Sequence, residues 1–591
     1  MSTEAIFVLI VIAIMFVALV RELFAPDVIV FSALGILYLS DVLTTSDAFI
    51  GFSNKGMLTV AILFIIAYAA QSSGLLEWLA AKIMGRSTGG RRSLVRMMLP
   101  VLGLSAFLNN TPVVAMFVPA IRDWATKKHI APSKFLIPLS YASIFGGVCT
   151  LIGTSTNLVV NGLFQQSYNR SISMFELAYV GLPCALAGIS YFLLVGYRTL
   201  PDRSDPESDF SESGREYLLE MAVQGGGPLV GKTIEQAGLR NLDQLFLAEI
   251  IRGGETITPV KPGDRLCAED LLVFAGQVAG VVRLQSIQGL TLLHGSDLVA
   301  TLRKSGDGRV LEAVVSRSSP MLGHTLKEGD FRARYDAVVL AAHRNGERLA
   351  TGMGHLALKP GDTLLLLAGK DFLKRWRHAR DFYMVSKVTD LPQIDRRKSI
   401  ISVVTLVGMI LLSAFEVIPI FKAAILAAMV LLFTRCLTVV EARRSLELNV
   451  LIIIACSFGL SRALEKTGAA DFLATHLINS TAFLGPVVLL AAVYFITSLM
   501  TEMITNNAAA ALAFPIAMSA ATQSGLDPKP FVIAIAVAAS ASFATPIGYQ
   551  TNLMVYGPGG YRFSDFLRVG IPMNMVFMAV ALFVIPLVWP F

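Results

Sequence analysis

Apolar runs of bilayer-crossing or near-crossing length dominate the chain, and they fall into two sets of five. The first set lies near residues 5–20, 28–44, 57–76, 134–163 and 177–197, the second near 399–417, 419–435, 448–464, 529–557 and 569–590. A hydrocarbon core about 30 Å thick takes roughly 20 helical residues to cross. A chain with this pattern is expected to fold in a lipid bilayer. Composition agrees: of 591 residues, 54% are hydrophobic and 15% charged, against about a quarter charged in soluble domains. Disordered, collagen-like and disulfide-stapled scaffolds are excluded. The charge is also unevenly placed, since 54 of the 91 charged residues lie in Arg198–Lys398. That third is expected to be a soluble insert. The first run opens with Glu4 and has neither a basic leader nor a small-residue cleavage site, so it is expected to stay as the first span. Five cysteines without Cys-x-x-Cys spacing point away from metal or redox chemistry. The net charge of +7 reports topology rather than nucleic-acid binding.

Between the third and fourth run of each set lies an apolar segment, 94–120 or 484–516, interrupted by a polar triplet. The triplets are Asn109-Asn110-Thr111 and Thr505-Asn506-Asn507. A lipid-facing helix cannot carry three amides and hydroxyls in a row at mid-depth, where each unsatisfied group costs several kcal/mol. The tip of a re-entrant hairpin, buried in protein or lining a water-filled cavity, can. With both segments as hairpins, Lys and Arg gather on one face: in 82–96, 122–134, 435–444 and 562–568, together with the charged insert. The opposite loops hold little beyond Lys55, Arg170, Lys466 and Lys529. The rich face is expected to be cytoplasmic. Each half then crosses five times, and the second runs opposite to the first.

The halves also match residue by residue. Gly74 and Ala80 match Gly468 and Ala474 at a spacing of 394. Asn109–Pro119 lies over Thr505–Pro515 at 396, and Ile152–Leu158 over Ile547–Leu553 at 395. Inverted repeats with paired broken segments are the signature of secondary transporters, with the site at the midplane. Asn amides and Thr hydroxyls donate to an anion or offer oxygens to Na⁺, and helix N-termini add positive dipole ends. Asn109, Asn110, Thr111, Thr505, Asn506 and Asn507 are therefore the expected substrate-binding residues. Gly153–Asn157 and Thr545–Asn552 break their spans at matching places, and carbonyls exposed there suit Na⁺. Thr150 and Thr545 coincide and bring hydroxyls. The expected ion ligands are Asn110, Gly153, Thr154, Asn157, Asn506, Thr545, Gly548 and Asn552. Glu502 stands in apolar surroundings, as a coupling acid or a structural partner, and its counterpart is Ala106.

The insert repeats too. Leu229–Thr233 recurs as Met321–Thr325, and Ala248–Glu255 as Leu340–Glu347. Pro262-Gly263-Asp264 lies over Pro360-Gly361-Asp362, each leading into an apolar strand. Two small α+β modules are expected. Gly226–Thr233 fits the phosphate-loop pattern in letters, but a Pro sits in the loop and no long helix can follow before Gly238. A structural turn is expected there.

On these residues the chain resembles the divalent anion/sodium symporter family of the wider ion-transporter superfamily. That family carries a Ser-Asn-Thr triplet at each hairpin tip, and the middle Asn stands here as Asn110 and Asn506. The run Thr501–Asn507, with Glu502, is similar to the family's second hairpin. The modules resemble paired TrkA-C (RCK C-terminal) domains, as in the bacterial and algal sulfate permease branch. The resemblance implies two Na⁺ sites, an anion between the triplets, a homodimer and a transport domain moving against a scaffold. The expected fold is a polytopic α-helical membrane protein of two inverted repeats, each five spans plus a re-entrant hairpin, at 1–200 and 398–591. Cytoplasmic TrkA-C-like domains are expected at 212–297 and 300–386, with a nucleotide or other small ligand as their partner. The function expected is not enzymatic. It is sodium-coupled import of a small inorganic divalent anion, sulfate first, across the plasma (inner) membrane. Alternatives are a C4-dicarboxylate/sodium symporter, a sodium/proton antiporter using Glu502, and a channel or sensor gated by the insert.

Overall fold

The computed structural model describes residues 1–591 apart from 22, 73–81, 83–89, 129, 204–217, 240–244, 253–254, 258–259, 277–286, 293–308, 317–318, 345–346, 350–355, 369–371, 377–380, 388–395 and 482–484. Gly74, Ala80 and the expected insert bounds at 212, 297 and 300 lie outside the described residues.

Apolar helices stand on either side of two sheets in the chain. Before the sheets come α1 (Thr3–Val20), α2 (Pro26–Leu39), α3 (Lys55–Ser72), α4 (Gly90–Ser105), α5 (Asn110–Lys127), α6 (Ser133–Gly147), α7 (Ser155–Tyr168) and α8 (Ala178–Tyr191). After them come α9 (Arg396–Ala414), α10 (Ile420–Phe433), α11 (Leu448–Lys466), α12 (Ala469–Thr481), α13 (Pro486–Met503), α14 (Asn506–Gln523), α15 (Pro528–Ser540), α16 (Gln550–Tyr556) and α17 (Phe563–Val588). Among the described residues, seven helices are long and apolar enough to cross a membrane.

Four helix interruptions fall where the sequence turns polar. The middle Asn of each triplet is the first residue of a helix, α5 or α14. Thr154 and Tyr549 are extended residues (φ −141°, ψ 148° and φ −135°, ψ 140°) that precede α7 and α16. The broken elements pack across the halves: α7 against α14 and α15, α16 against α5 and α6.

The first sheet consists of β1 (Leu218–Val223), β2 (Leu245–Arg252), β3 (Glu255–Ile257), β4 (Leu271–Gly276) and β5 (Leu290–Leu292), in the order β3-β2-β4-β1-β5. The second consists of β6 (Arg309–Val315), β7 (Ala337–Arg344), β8 (Glu347–Arg348), β9 (Thr363–Ala368) and β10 (Phe382–Lys387), in the order β8-β7-β9-β6-β10. The two orders correspond strand for strand. The expected match of Pro262-Gly263-Asp264 with Pro360-Gly361-Asp362 is corrected by the ion pairs. Asp362 receives Arg344 at 2.7 Å, and in the first sheet Arg252 pairs with Asp270 at 2.8 Å, not with Asp264. Both carboxylates are fully buried where β9 and β4 begin, and each pushes its guanidinium pKa above the ordinary arginine value. Glu269 (φ 64°) therefore stands in the left-handed place that Gly361 (φ 84°) fills in the second sheet. Gly226–Thr233 forms turns, and the described residues up to Gly238 continue as turns rather than a helix.

The second sheet touches the helical part at α16. A Cβ added to Gly361 would stand 2.7 Å from Leu553 Cδ1, and one added to Gly557 would collide with Thr363 Oγ1. That imaginary Cβ lies 3.3 Å from Thr363 Cβ, close to the span of a disulfide. The pair Gly557→Cys and Thr363→Cys is thus expected to cross-link under mild oxidation, seen as a linked peptide in mass spectrometry. Absence of the link in folded protein would refute the contact.

Candidate functional site

The site grows from four turns, each of which must satisfy backbone groups without water. At the first break Asn157, fully buried, donates its amide to Gly147 O at 3.1 Å and Thr150 O at 2.8 Å. At the second, Asn552 does the same for Ser542 O at 3.0 Å and Thr545 O at 3.1 Å. The two staples are 395 residues apart in sequence, the spacing that aligned the halves.

The hairpin tips carry a second matched pair. Ser105 Oγ donates to Asn110 Oδ1 at 2.5 Å, and Thr501 Oγ1 to Asn506 Oδ1 at 3.0 Å. Each tip then reaches the other half's break. Asn110 Nδ2 donates to Tyr549 OH at 2.5 Å and Thr111 Oγ1 to Gln550 Oε1 at 2.9 Å. In return Asn507 Oδ1 accepts from Ser155 Oγ at 3.3 Å and Thr156 Oγ1 at 3.2 Å. Thr505 is the N-cap residue of α14, and its side chain makes no cap bond.

Glu502 breaks the correspondence. Its Oε1 accepts from Phe543 N (2.8 Å), Ala544 N (2.9 Å) and Asn574 Nδ2 (2.8 Å). Its Oε2 accepts from Thr545 N at 2.9 Å and Thr545 Oγ1 at 3.0 Å. A carboxyl group surrounded by donors caps the second break. Thr545 Oγ1 also lies 3.1 Å from Glu502 O, as Thr150 Oγ1 donates to the backbone oxygen of Ala106 at the first break, but Ala106 brings no carboxylate. Around Gly548 the oxygens crowd: a Cβ there would collide with Ser542 Oγ and stand 2.9 Å from Thr545 Oγ1 and 3.0 Å from Glu502 Oε2. Ser542 Oγ and Asn574 Oδ1 are buried with no hydrogen-bond partner.

A cavity of about 30 Å³ opens beside the first break. Asn109, Gly153, Thr154 and Ser155 line it together with Phe107, Leu108, Ile152 and Leu158, with five residues of α3 and with Leu406 of α9. The structure thus brings Asn109, Gly153 and Thr154 to one cavity and buries Asn110 beside it. Gly548, Thr545 and Asn552 gather about the second break with Glu502. Ser105, Thr501, Tyr549, Gln550 and Asn574 belong to this network without being sequence candidates, as does Ser140, whose Oγ lies 2.7 Å from Asn552 Oδ1. Ser105 and Thr501 lie at the spacing of 396 that aligned the triplets, which would have found them.

Comparison with known proteins decides the family. The citrate transporter family matches residues 7–527. The chain belongs to it. Members of this family are transporters, so the chain is a polytopic membrane transporter of the ion-transporter superfamily rather than an enzyme. A Chlamydomonas reinhardtii protein provisionally named a sulfur deprivation response regulator is 39% identical, covering 94% of this chain and 97% of its own. An uncharacterised transporter of Synechocystis is 33% identical over 92% of this chain and 90% of its own. Sodium/sulfate cotransporter 1 of Chlamydomonas reinhardtii is 27% identical over 97% and 88%. Among solved structures, the Alcanivorax borkumensis YdaH transporter overlaps 94% of this chain and 88% of its own at 14% identity and a TM-score of 0.45, a distant likeness.

Proposed function

We propose that the chain is a sodium-coupled symporter importing a small divalent anion, sulfate before others, by elevator-type alternating access. The observation that carries this reading is the exchange of tips and breaks: Asn110 and Thr111 bond the second break, and Asn507 bonds the first. Hairpins and broken helices so interlocked move as one body. The cavity lies at the boundary between that body and α3 and α9, where a sliding transport domain would expose or close it.

The anion belongs at the first break. Helices α5 and α7 both begin there and turn their positive ends toward it. The corresponding ground at the second break already holds an anion, Glu502. Sodium is a hard cation that takes oxygen ligands. One ion is placed near Asn506, Thr545, Gly548 and Asn552, where Ser542 Oγ and Asn574 Oδ1 lack partners. The other is placed near Asn110, Gly153, Thr154 and Asn157. Relatives named as sodium/sulfate cotransporters support both the ion and the anion. In this reading the halves are inverted repeats, and the two sheets are cytoplasmic TrkA-C-type domains with a small-molecule ligand. The whole works as a homodimer in the plasma membrane. A proton antiporter through Glu502 is disfavoured, since protonation would set an O–H against a ring of donors.

Asn110→Ala and Asn506→Ala are each expected to abolish Na⁺-dependent uptake of labelled sulfate in proteoliposomes while expression stays normal. Succinate and phosphate, with and without Na⁺, serve as competing substrates. Unchanged uptake in both variants would remove the proposal.

A further inference from the structure

We propose that Tyr549 sets the size of the anion this transporter accepts, an inference that rests on the symport reading above. Thr154 and Tyr549 hold the same place in their halves: extended, directly before the helix that follows the break, 395 residues apart. Thr154 is small and lines the cavity. Tyr549 carries a phenol in that place, and the phenol does not stay in its own half. Its hydroxyl accepts from Asn110 Nδ2 at 2.5 Å and lies 3.4 Å from Thr154 Oγ1. The ring, 8% exposed, therefore fills the ground between the first tip and the first break, directly behind the cavity wall.

Two consequences follow for a ligand. Asn110 is held in place, because Ser105 bonds its oxygen and Tyr549 one of its two amide hydrogens. The anion then meets Asn109, Thr154, Ser155 and helix N-termini. The cavity is also left small: its volume of about 30 Å³ holds on the order of two waters. A compact oxyanion reaches all its donors from one such place. A chain bearing two or three carboxylates needs length, and Tyr549 occupies the direction in which the cavity would lengthen toward Asn110. A tyrosine has few rotatable bonds and is pinned at its tip, so it yields little.

The test restores the internal symmetry with Tyr549→Thr, and keeps the ring without the hydroxyl with Tyr549→Phe. Uptake of labelled sulfate and succinate is measured in proteoliposomes, each with the other as competitor. Tyr549→Thr is expected to raise the sulfate KM about tenfold, the weight of one strong hydrogen bond, and to raise the succinate-to-sulfate ratio of kcat/KM by more than that. Tyr549→Phe is expected to weaken sulfate while leaving the ratio unchanged. If Tyr549→Thr does not fold, Tyr549→Val removes the ring equally and replaces it. An unchanged ratio in a folded short-side-chain variant overturns the inference. Wild-type protein that takes up no oxyanion would instead overturn the symport reading, so the two failures are distinguishable.

Discussion

Glu502→Gln is expected to leave a protein that melts earlier in detergent and takes up no anion. The wild-type carboxylate accepts five hydrogen bonds, three on Oε1 and two on Oε2. Glutamine has one acceptor oxygen. If that oxygen takes the place of Oε1, its amide faces the N–H of Thr545, donor against donor, while the Thr545 hydroxyl keeps Glu502 O at 3.1 Å as its acceptor. If it takes the place of Oε2, the amide faces the N–H groups of Phe543 and Ala544. In the first orientation one donor loses its acceptor and in the second at least two do, at about 1–3 kcal/mol each, and the remaining bonds lose the strength that charge gives them. A loss of about 2 kcal/mol or more is expected, read as a lower midpoint in thermal unfolding. Uptake disappears with it, because Phe543, Ala544 and Thr545 set the course of the chain into Gly548 and α16. A stable Glu502→Gln protein that still exchanges ions but has lost its pH dependence would instead make Glu502 a titrating carrier.

What the sequence shows and hides follows from the physics of each residue. The hairpins and breaks are legible because a membrane makes polarity costly, so Asn109-Asn110-Thr111 and Thr505-Asn506-Asn507 stand out in apolar runs. Ser105 and Thr501 do not, since a single hydroxyl in a helix commonly bonds its own backbone. The partners of Glu502 include three backbone N–H groups, and a backbone amide leaves no mark in sequence. Tyr549 was hidden for the opposite reason: it breaks the internal match, and a mismatch reads as drift until its hydroxyl is found on Asn110. The sheets teach the same lesson about identity. Pro-Gly-Asp occurs twice because it makes turns well, but the register is set by the ion pairs Arg252–Asp270 and Arg344–Asp362.

The paired staples give the sharpest remaining expectation, because their chemistry separates two roles for the same residues. Asn157 and Asn552 each point Nδ2 at two backbone carbonyls; that surrounding fixes which end of the amide is nitrogen. Substitution by Leu in either place removes two hydrogen bonds, stranding Ser542 O and Thr545 O at the second break but only Gly147 O at the first, where Thr150 O keeps Gly153 N at 3.4 Å; the cost is about 2–4 kcal/mol. Asn552 should cost more than Asn157. Its Oδ1 also accepts from Ser140 Oγ at 2.7 Å, whereas Ser540 Oγ stands 3.5 Å from Asn157 Oδ1. Substitution by Asp is the decisive variant. It keeps the shape but sets a carboxylate oxygen against carbonyl oxygens, so stapling predicts a loss at least as large as for Leu. A residue whose oxygen chiefly bound Na⁺ would tolerate Asp, and the apparent Na⁺ affinity would rise with the added charge. Thermal unfolding midpoints together with Na⁺-dependent uptake for Asn157→Asp and Asn552→Asp separate these outcomes. We expect both variants to lose stability and uptake, Asn552→Asp more severely, with no gain in Na⁺ affinity.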